Sequence, residues 1–182
     1  MNSLAILSLR KNTIALVLLI VFLVVLASGC GSSNTPPAAI VSSFRAEVPS
    51  EVGSKTITTV ETDWYIDAIN GKPHNNKSIT VAKGSMVTFG GWAVDRSRKV
   101  VPKTIYVKLT AETGGKEYYV KAERAKRLDV VKVFNINEYE NAGFNAVGDT
   151  KELAPGNYTV GILQIDDAQA IAFVSKLQIV LQ

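Results

Sequence analysis

Histidine and cysteine are almost absent: one of each stands among 182 residues. A lone cysteine allows no intramolecular disulfide, so the stability of a folded part has to come from packing. One histidine and one cysteine also leave a zinc site without its usual ligands. His74 sits in the run Lys72-Pro73-His74-Asn75-Asn76 and reads as an exposed loop residue rather than a member of a catalytic triad. Charge of one sign is scarce as well. The chain has 20 Lys+Arg and 16 Asp+Glu, a net +4, but the first 29 residues hold only Arg10 and Lys11, which leaves the other 153 at +2. That balance provides no electrostatic footprint for nucleic acid. Between positions 84 and 91 no glycine spacing of the phosphate-binding kind leads into a helix, and the Asp/Asn alternation of a calcium loop is missing. No cofactor or metal is expected. No internal repeat is visible.

Long apolar runs are confined to one place. Arg10 and Lys11 form a basic n-region, and residues 14–27 are an unbroken apolar run of 14. A membrane-spanning helix needs about 20 such residues, whereas a secretory h-region has about 7–15. The run ends Leu26-Ala27-Ser28-Gly29-Cys30. This resembles the lipobox of bacterial lipoproteins, with Ala27 where that family prefers Leu. The resemblance implies cleavage before Cys30, a diacylglyceryl thioether on its sulfur and an acyl chain on its new amino group; two or more chains anchor a protein stably. Two other readings use the same residues: an ordinary thiol beside an uncleaved anchor, and plain signal-peptidase cleavage after Ser28 or Gly29. In a cell with two membranes, Gly31 rather than Asp after the cysteine implies an outer-membrane protein facing the periplasm.

Residues 31–43 read GSSNTPPAAIVSS, without charge or periodicity. The expected organisation is a removable signal peptide over 1–29, lipidated Cys30 with a flexible tether over 30–56, and a folded domain over 57–182. Phe44, Val48 and Val52 are the residues of the tether able to pack on the domain edge.

The remainder reads as strands. Trp64, Ile66 and Ala68 alternate with their neighbours before the turn Asn70-Gly71-Lys72-Pro73, and Ile79 and Val81 mark a short strand. Val87 and Phe89 share one parity and Trp92 and Val94 the other, so a bulge is expected at Gly90-Gly91. Ile105, Val107 and Leu109 alternate, and Gly114-Gly115 forms a hairpin into Tyr118, Val120 and Ala122. Val130, Val131, Val133 and Phe134 fit two turns of helix around 129–135 with Asp129 as N-cap. Residues 135–143 read as loop, Phe144 and Ala146 as strand, and residues 173–181 alternate to the end. This pattern predicts an all-β fold, an antiparallel sandwich with one short helix.

Leu153-Ala154-Pro155-Gly156-Asn157-Tyr158 resembles the corner of immunoglobulin-like and fibronectin-like domains, in which an early strand tyrosine hydrogen-bonds back across a turn. With Gly91-Trp92-Ala93-Val94-Asp95, Arg127-Leu128-Asp129-Val130 and Gly143-Phe144, residues 60–182 are similar to a bacterial immunoglobulin-like module that elsewhere follows membrane glycosyltransferases and surface-polysaccharide proteins. The resemblance implies an immunoglobulin-like β-sandwich; it carries no defined activity.

Sugar-binding surfaces stack pyranose rings on exposed aromatic faces. Trp64, Trp92, Tyr106, Tyr118 and Tyr119 are the candidates, with Trp92 and Tyr118 at positions more typical of core. Tyr106 and Tyr119 lie opposite the Ile105/Val107 and Tyr118/Val120 sets, where a cross-strand pair also stabilises a sheet without any ligand. Arg96, Arg98, Lys99 and Lys103 form a basic cluster that Lys121, Arg124, Lys126 and Arg127 can extend into one patch, either a solvated face or a contact for an anionic glycan or lipid headgroup. Arg127 is expected to brace its loop against Asp95 or Asp129. Asp166-Asp167 reads as a turn. The composite expectation is a lipid-anchored, non-catalytic envelope module that binds or scaffolds a protein or glycan, with a carbohydrate-binding module in polysaccharide assembly as the alternative and an envelope enzyme third.

Overall fold

A computed structural model describes residues 41–60, 63–73 and 78–182; Cys30 and His74 lie outside them. The described residues are all-β with one α-helix. The strands are β1 (Val41–Ser43), β2 (Ile57–Val60), β3 (Trp64–Ile69), β4 (Ile79–Val81), β5 (Met86–Ala93), β6 (Thr104–Ala111), β7 (Glu117–Ala125), β8 (Gly143–Asp149), β9 (Gly156–Ile165) and β10 (Ala170–Leu181). They form one continuous sheet in the order β2-β10-β9-β6-β7-β8-β5-β3, with β1 added on β8 and β4 on β10, and this sheet curls into a half-barrel.

The curl pivots on β7. Its first part, through Ala122, pairs with β6, whereas Glu123, Arg124 and Ala125 pair with β8. The two halves thereby face each other across a shared core: Val87, Phe89 and Phe144 from one meet Ile105, Val107, Val120, Ile162 and Phe173 from the other, all essentially inaccessible. The pairing is not purely antiparallel as expected, since β1 runs parallel to β8 and both β2 and β4 run parallel to β10.

Residues 41–56 do not behave as tether. β1 pairs with β8, the Arg45 and Tyr119 backbones exchange hydrogen bonds of 2.9 and 2.8 Å, and Phe44 is buried in the core edge-on to Phe89. Physically, β7 and β8 pair only at their ends near Ala125 and Gly143, and residues 41–52, a strap along the sheet, fill the gap where they diverge. Gly148 admits it, because a Cβ there would overlap the Phe44 ring.

The bulge is displaced too. β5 pairs with β8 in unbroken register from Met86 to Trp92. The irregularity is on β3, where Asp67 is the extra residue between Ile66, opposite Gly91, and Ala68, opposite Gly90. Val87, Phe89 and Ala93 keep one parity throughout. Trp92 and Val94 are apolar for another reason: with Val130, Tyr139 and Ala142 they form a small second core on the opposite face. The helix α1 (Leu128–Phe134) and a 3-10 turn at Asn137–Asn141, inside the segment expected as loop, cover it. Arg127, not Asp129, occupies the N-cap position, and no side chain caps the helix. At the Pro155-Gly156 corner the Tyr158 hydroxyl donates to the Ala154 carbonyl at 2.6 Å.

Candidate functional site

Alternation places Tyr106 and Tyr119 on the outer face of β6 and β7, and there the structure brings them together. Tyr106 stands opposite Lys121 and Tyr119 opposite Lys108, so the two tyrosines are diagonal neighbours. They are not exposed, however. Val52, Leu163, Ile165, Ala170 and Ala172 pack with them into an outer cluster, and the strap closes over the top, leaving a cleft of about 660 Å³ between residues 41–51 and the sheet. The stacking platform expected from these rings is therefore occupied by the chain's own N-terminal segment.

The polar contacts in the cleft form a clasp. Glu51, presented by a 3-10 turn at Ser50–Val52, accepts from the Tyr106 hydroxyl at 2.7 Å and from Lys121 Nζ at 3.3 Å. Beneath it, Glu117 accepts from Lys108 Nζ at 2.6 Å and from the Tyr119 hydroxyl. The Tyr106 hydrogen bond, with smaller contributions from the backbone and Lys121, lowers Glu51 from 4.5 to about 2. Burial alone would raise Glu117, but Lys108 and Tyr119 outweigh it and hold the carboxyl below its ordinary range. Burial first, then the facing carboxylate, pushes both phenols well above 10. Both tyrosines are thus neutral donors at physiological pH, each committed to an internal acceptor.

This clasp has a pH signature. Glu51 is depressed in the folded state, so its contribution is complete above pH 4.5 and is lost as pH falls through about 2. Urea midpoints between pH 2 and 6 should show a steeper acid limb for wild type than for Glu51→Gln. The difference should be under about 1 kcal/mol, as for a partly exposed pair. Parallel acid limbs would refute the clasp.

The other candidate residues are engaged elsewhere. Trp64 is half-buried with its ring 6.0 Å from Phe173. Trp92 lies edge-on to Phe134 at 5.6 Å, and Arg96 sits over the same Phe134 ring while pairing with Asp63 at 3.5 Å. Asp95 is buried and accepts from Ser97 Oγ at 2.7 Å, the Arg98 amide at 3.1 Å and Gln169 Nε2 at 2.6 Å. Arg98 bridges Asp95 and Asp166, and Asp166 also receives the Ala168 and Gln169 amides in the expected turn. Arg127 forks onto Asp129 at 2.8 and 2.7 Å and reaches Asp67 with its third nitrogen. Of the two braces expected for Arg127, the Asp129 one forms, and Asp67 was not foreseen. Asp129 is thereby a bracing carboxylate, held at about 2 chiefly by the Arg127 hydrogen bond.

These pairings dissolve the single basic patch. Lys103 meets Asp167, Lys121 meets Glu51 and Lys126 meets Glu140, so the cations alternate with acids. Arg124 is half-buried, its guanidinium donating to the Pro102 carbonyl and to Gln164 Oε1. Glu51 was missed because the segment carrying it shows no periodicity; its partners Tyr106 and Lys121 were legible from strand parity.

Among the described residues no three His, Cys, Asp or Glu side chains are grouped to hold a metal ion. The fold and clasp define an all-β domain that binds its own N-terminal segment. Neither a protein-family model nor a curated protein matches the chain.

Proposed function

We propose that the chain is a lipid-anchored, non-catalytic module of the bacterial cell envelope that binds or scaffolds an envelope partner, built on an immunoglobulin-like sandwich plan. The observation that carries the reading is the docked strap. β1 begins eleven positions after Cys30, at the end of the lipobox-like run, and the strap ties it to β7 and β8. Residues 31–40, even fully extended, reach about 33–36 Å. A lipidated Cys30 would hold the domain close to the headgroups by a short leash, with the clasp as its anchor point. Two half-sheets sharing one core, together with the Tyr158 corner, support the sandwich plan.

The alternative, a carbohydrate-binding module, gains from exposed rings among Tyr106, Tyr119 and Trp64; the first two are covered, and Trp64 is half-buried against Phe173. In a cell with two membranes, Gly31 after the cysteine favours an outer-membrane location facing the periplasm.

Metabolic labelling with a palmitate analogue should mark wild type and leave Cys30→Ala unlabelled. Undiminished label on the variant overturns the lipid anchor. Cross-linking in intact envelopes, followed by pull-down, should recover a defined envelope protein with wild type. Failure to recover any specific partner, together with binding on a broad glycan array, would favour the carbohydrate reading.

A further inference from the structure

The strap is held at two points. Of residues 41–52 only Phe44 and Val52 are buried. Phe44 is the strap's single residue in the main core, and Val52 joins the outer cluster with Tyr106 and Tyr119. Between them Arg45, Ala46, Glu47 and Val48 are exposed, and the cleft of about 660 Å³ separates this stretch from the sheet. β1 offers a ladder of three residues, against the twelve of β10, which has strands on both edges. The connection to β2, Gly53-Ser54-Lys55-Thr56, adds no buried residue. Few buried apolar contacts and an exposed backbone mark a segment that opens before its surroundings.

The strap also lies in series between Cys30 and the sheet. Any load carried between that cysteine and the folded strands passes through it, entering at Val41. It meets the β1 ladder and Phe44 first, then the Arg45–Tyr119 backbone pair, and last the Glu51 clasp with Tyr106 and Lys121. Every other residue of the main core belongs to β3–β10 or the turns between them, so those strands keep their shared core when the strap leaves.

We propose that the strap is a latch released by tension, which lengthens the leash between Cys30 and the domain while the sheet stays folded. With the strap docked, residues 31–40 span at most about 33–36 Å; with it released, residues 31–56 span up to about 86–94 Å. Load does work in proportion to the length gained, so it favours the longer state, and without load the docked contacts prevail. Release also uncovers Tyr106 and Tyr119 on the outer face. The membrane consequence rests on the lipidation of Cys30 proposed above; the latch itself requires only the docked strap and its two anchors.

The test is optical-tweezers extension of the unprocessed full chain in detergent, with one handle on the thiol of Cys30, the chain's lone cysteine, and the other at Gln182. Wild type should lengthen in two steps. The first adds the contour of residues 41–56, about 53–58 Å, and the second, at higher force, unfolds the sheet. Phe44→Ala should raise the opening constant at least about 100-fold, moving the first step to lower force. It should leave the second step in place, because Phe44 has already left the core by then. Val48→Ala should move neither step. Without load, the Arg45 and Tyr119 amides, which donate to each other's carbonyls, should exchange hydrogen through an opening less dependent on denaturant than that of the β9 amides. Extension in a single step, a first step of another length, a second step shifted by Phe44→Ala, or equal denaturant dependence would each overturn the latch. The handle stands in for the lipid, so a missing palmitate label would remove the membrane consequence alone, and the two-step extension decides the latch.

Discussion

Phe44→Ala should lower the unfolding free energy by about 3–5 kcal/mol, the usual loss for truncating a buried phenylalanine. Phe44 is 3% exposed, lies 6.4 Å from Phe89 edge-to-face, and sits over Gly148. Alanine there leaves a cavity at the seam between β7 and β8, and it also releases a core anchor next to β1. The same variant should therefore be cut faster by trypsin after Arg45, whose backbone is held by Tyr119 in the wild type. Val48→Ala, four residues on and 53% exposed, is the control and should change stability by less than about 0.5 kcal/mol. Equal, small effects of the two substitutions in urea denaturation would return this segment to the status of a tether.

Gly91→Ala should cost about 3 kcal/mol, at the upper end for overpacking, because the obstacle is backbone. A Cβ at Gly91 would overlap the Tyr65 carbonyl oxygen and come within 2.8 Å of the Phe144 ring. Neither can withdraw: Tyr65 belongs to the strand that bulges at Asp67, and Phe144 is a fully buried core residue. Gly90→Ala is the internal control. Its Cβ would meet only Asn145 Oδ1 at 3.4 Å, so that variant should fall within about 0.5 kcal/mol of wild type. Urea midpoints for the two variants decide it; similar losses would mean that the glycine pair serves the strand as a unit rather than one close approach.

Both predictions concern features the sequence described incompletely. The glycine pair was visible and its consequence was assigned to the wrong strand. A parity change from Phe89 to Trp92 looks like an inserted residue when one buried face is assumed, but β5 has an apolar cluster on each side. The strap was obscured because Phe44 and Val52 are isolated in a polar stretch, and isolated apolar residues carry no period. In the basic cluster, each residue was correctly seen as charged, but the acidic partners that several of them meet lie up to 70 positions away, as in Lys121 with Glu51.

What the sequence determined by itself is local in origin. Strand alternation in Ile105-Val107-Leu109, the Gly114-Gly115 hairpin and the four-residue Tyr158 corner are set by neighbours along the chain. So is the near absence of cysteine and histidine, which allows no intramolecular disulfide and leaves few of the usual zinc ligands before any fold is known. Tertiary structure decided the rest. The halves of one curled sheet diverge at β7 and open a gap that only a distant segment can fill. That segment covers Tyr106 and Tyr119, and the same curl turns Arg124 inward at the end of the core. Burial on the second face of a strand depends on what arrives there from elsewhere in the chain, and alternation records only which face a residue takes.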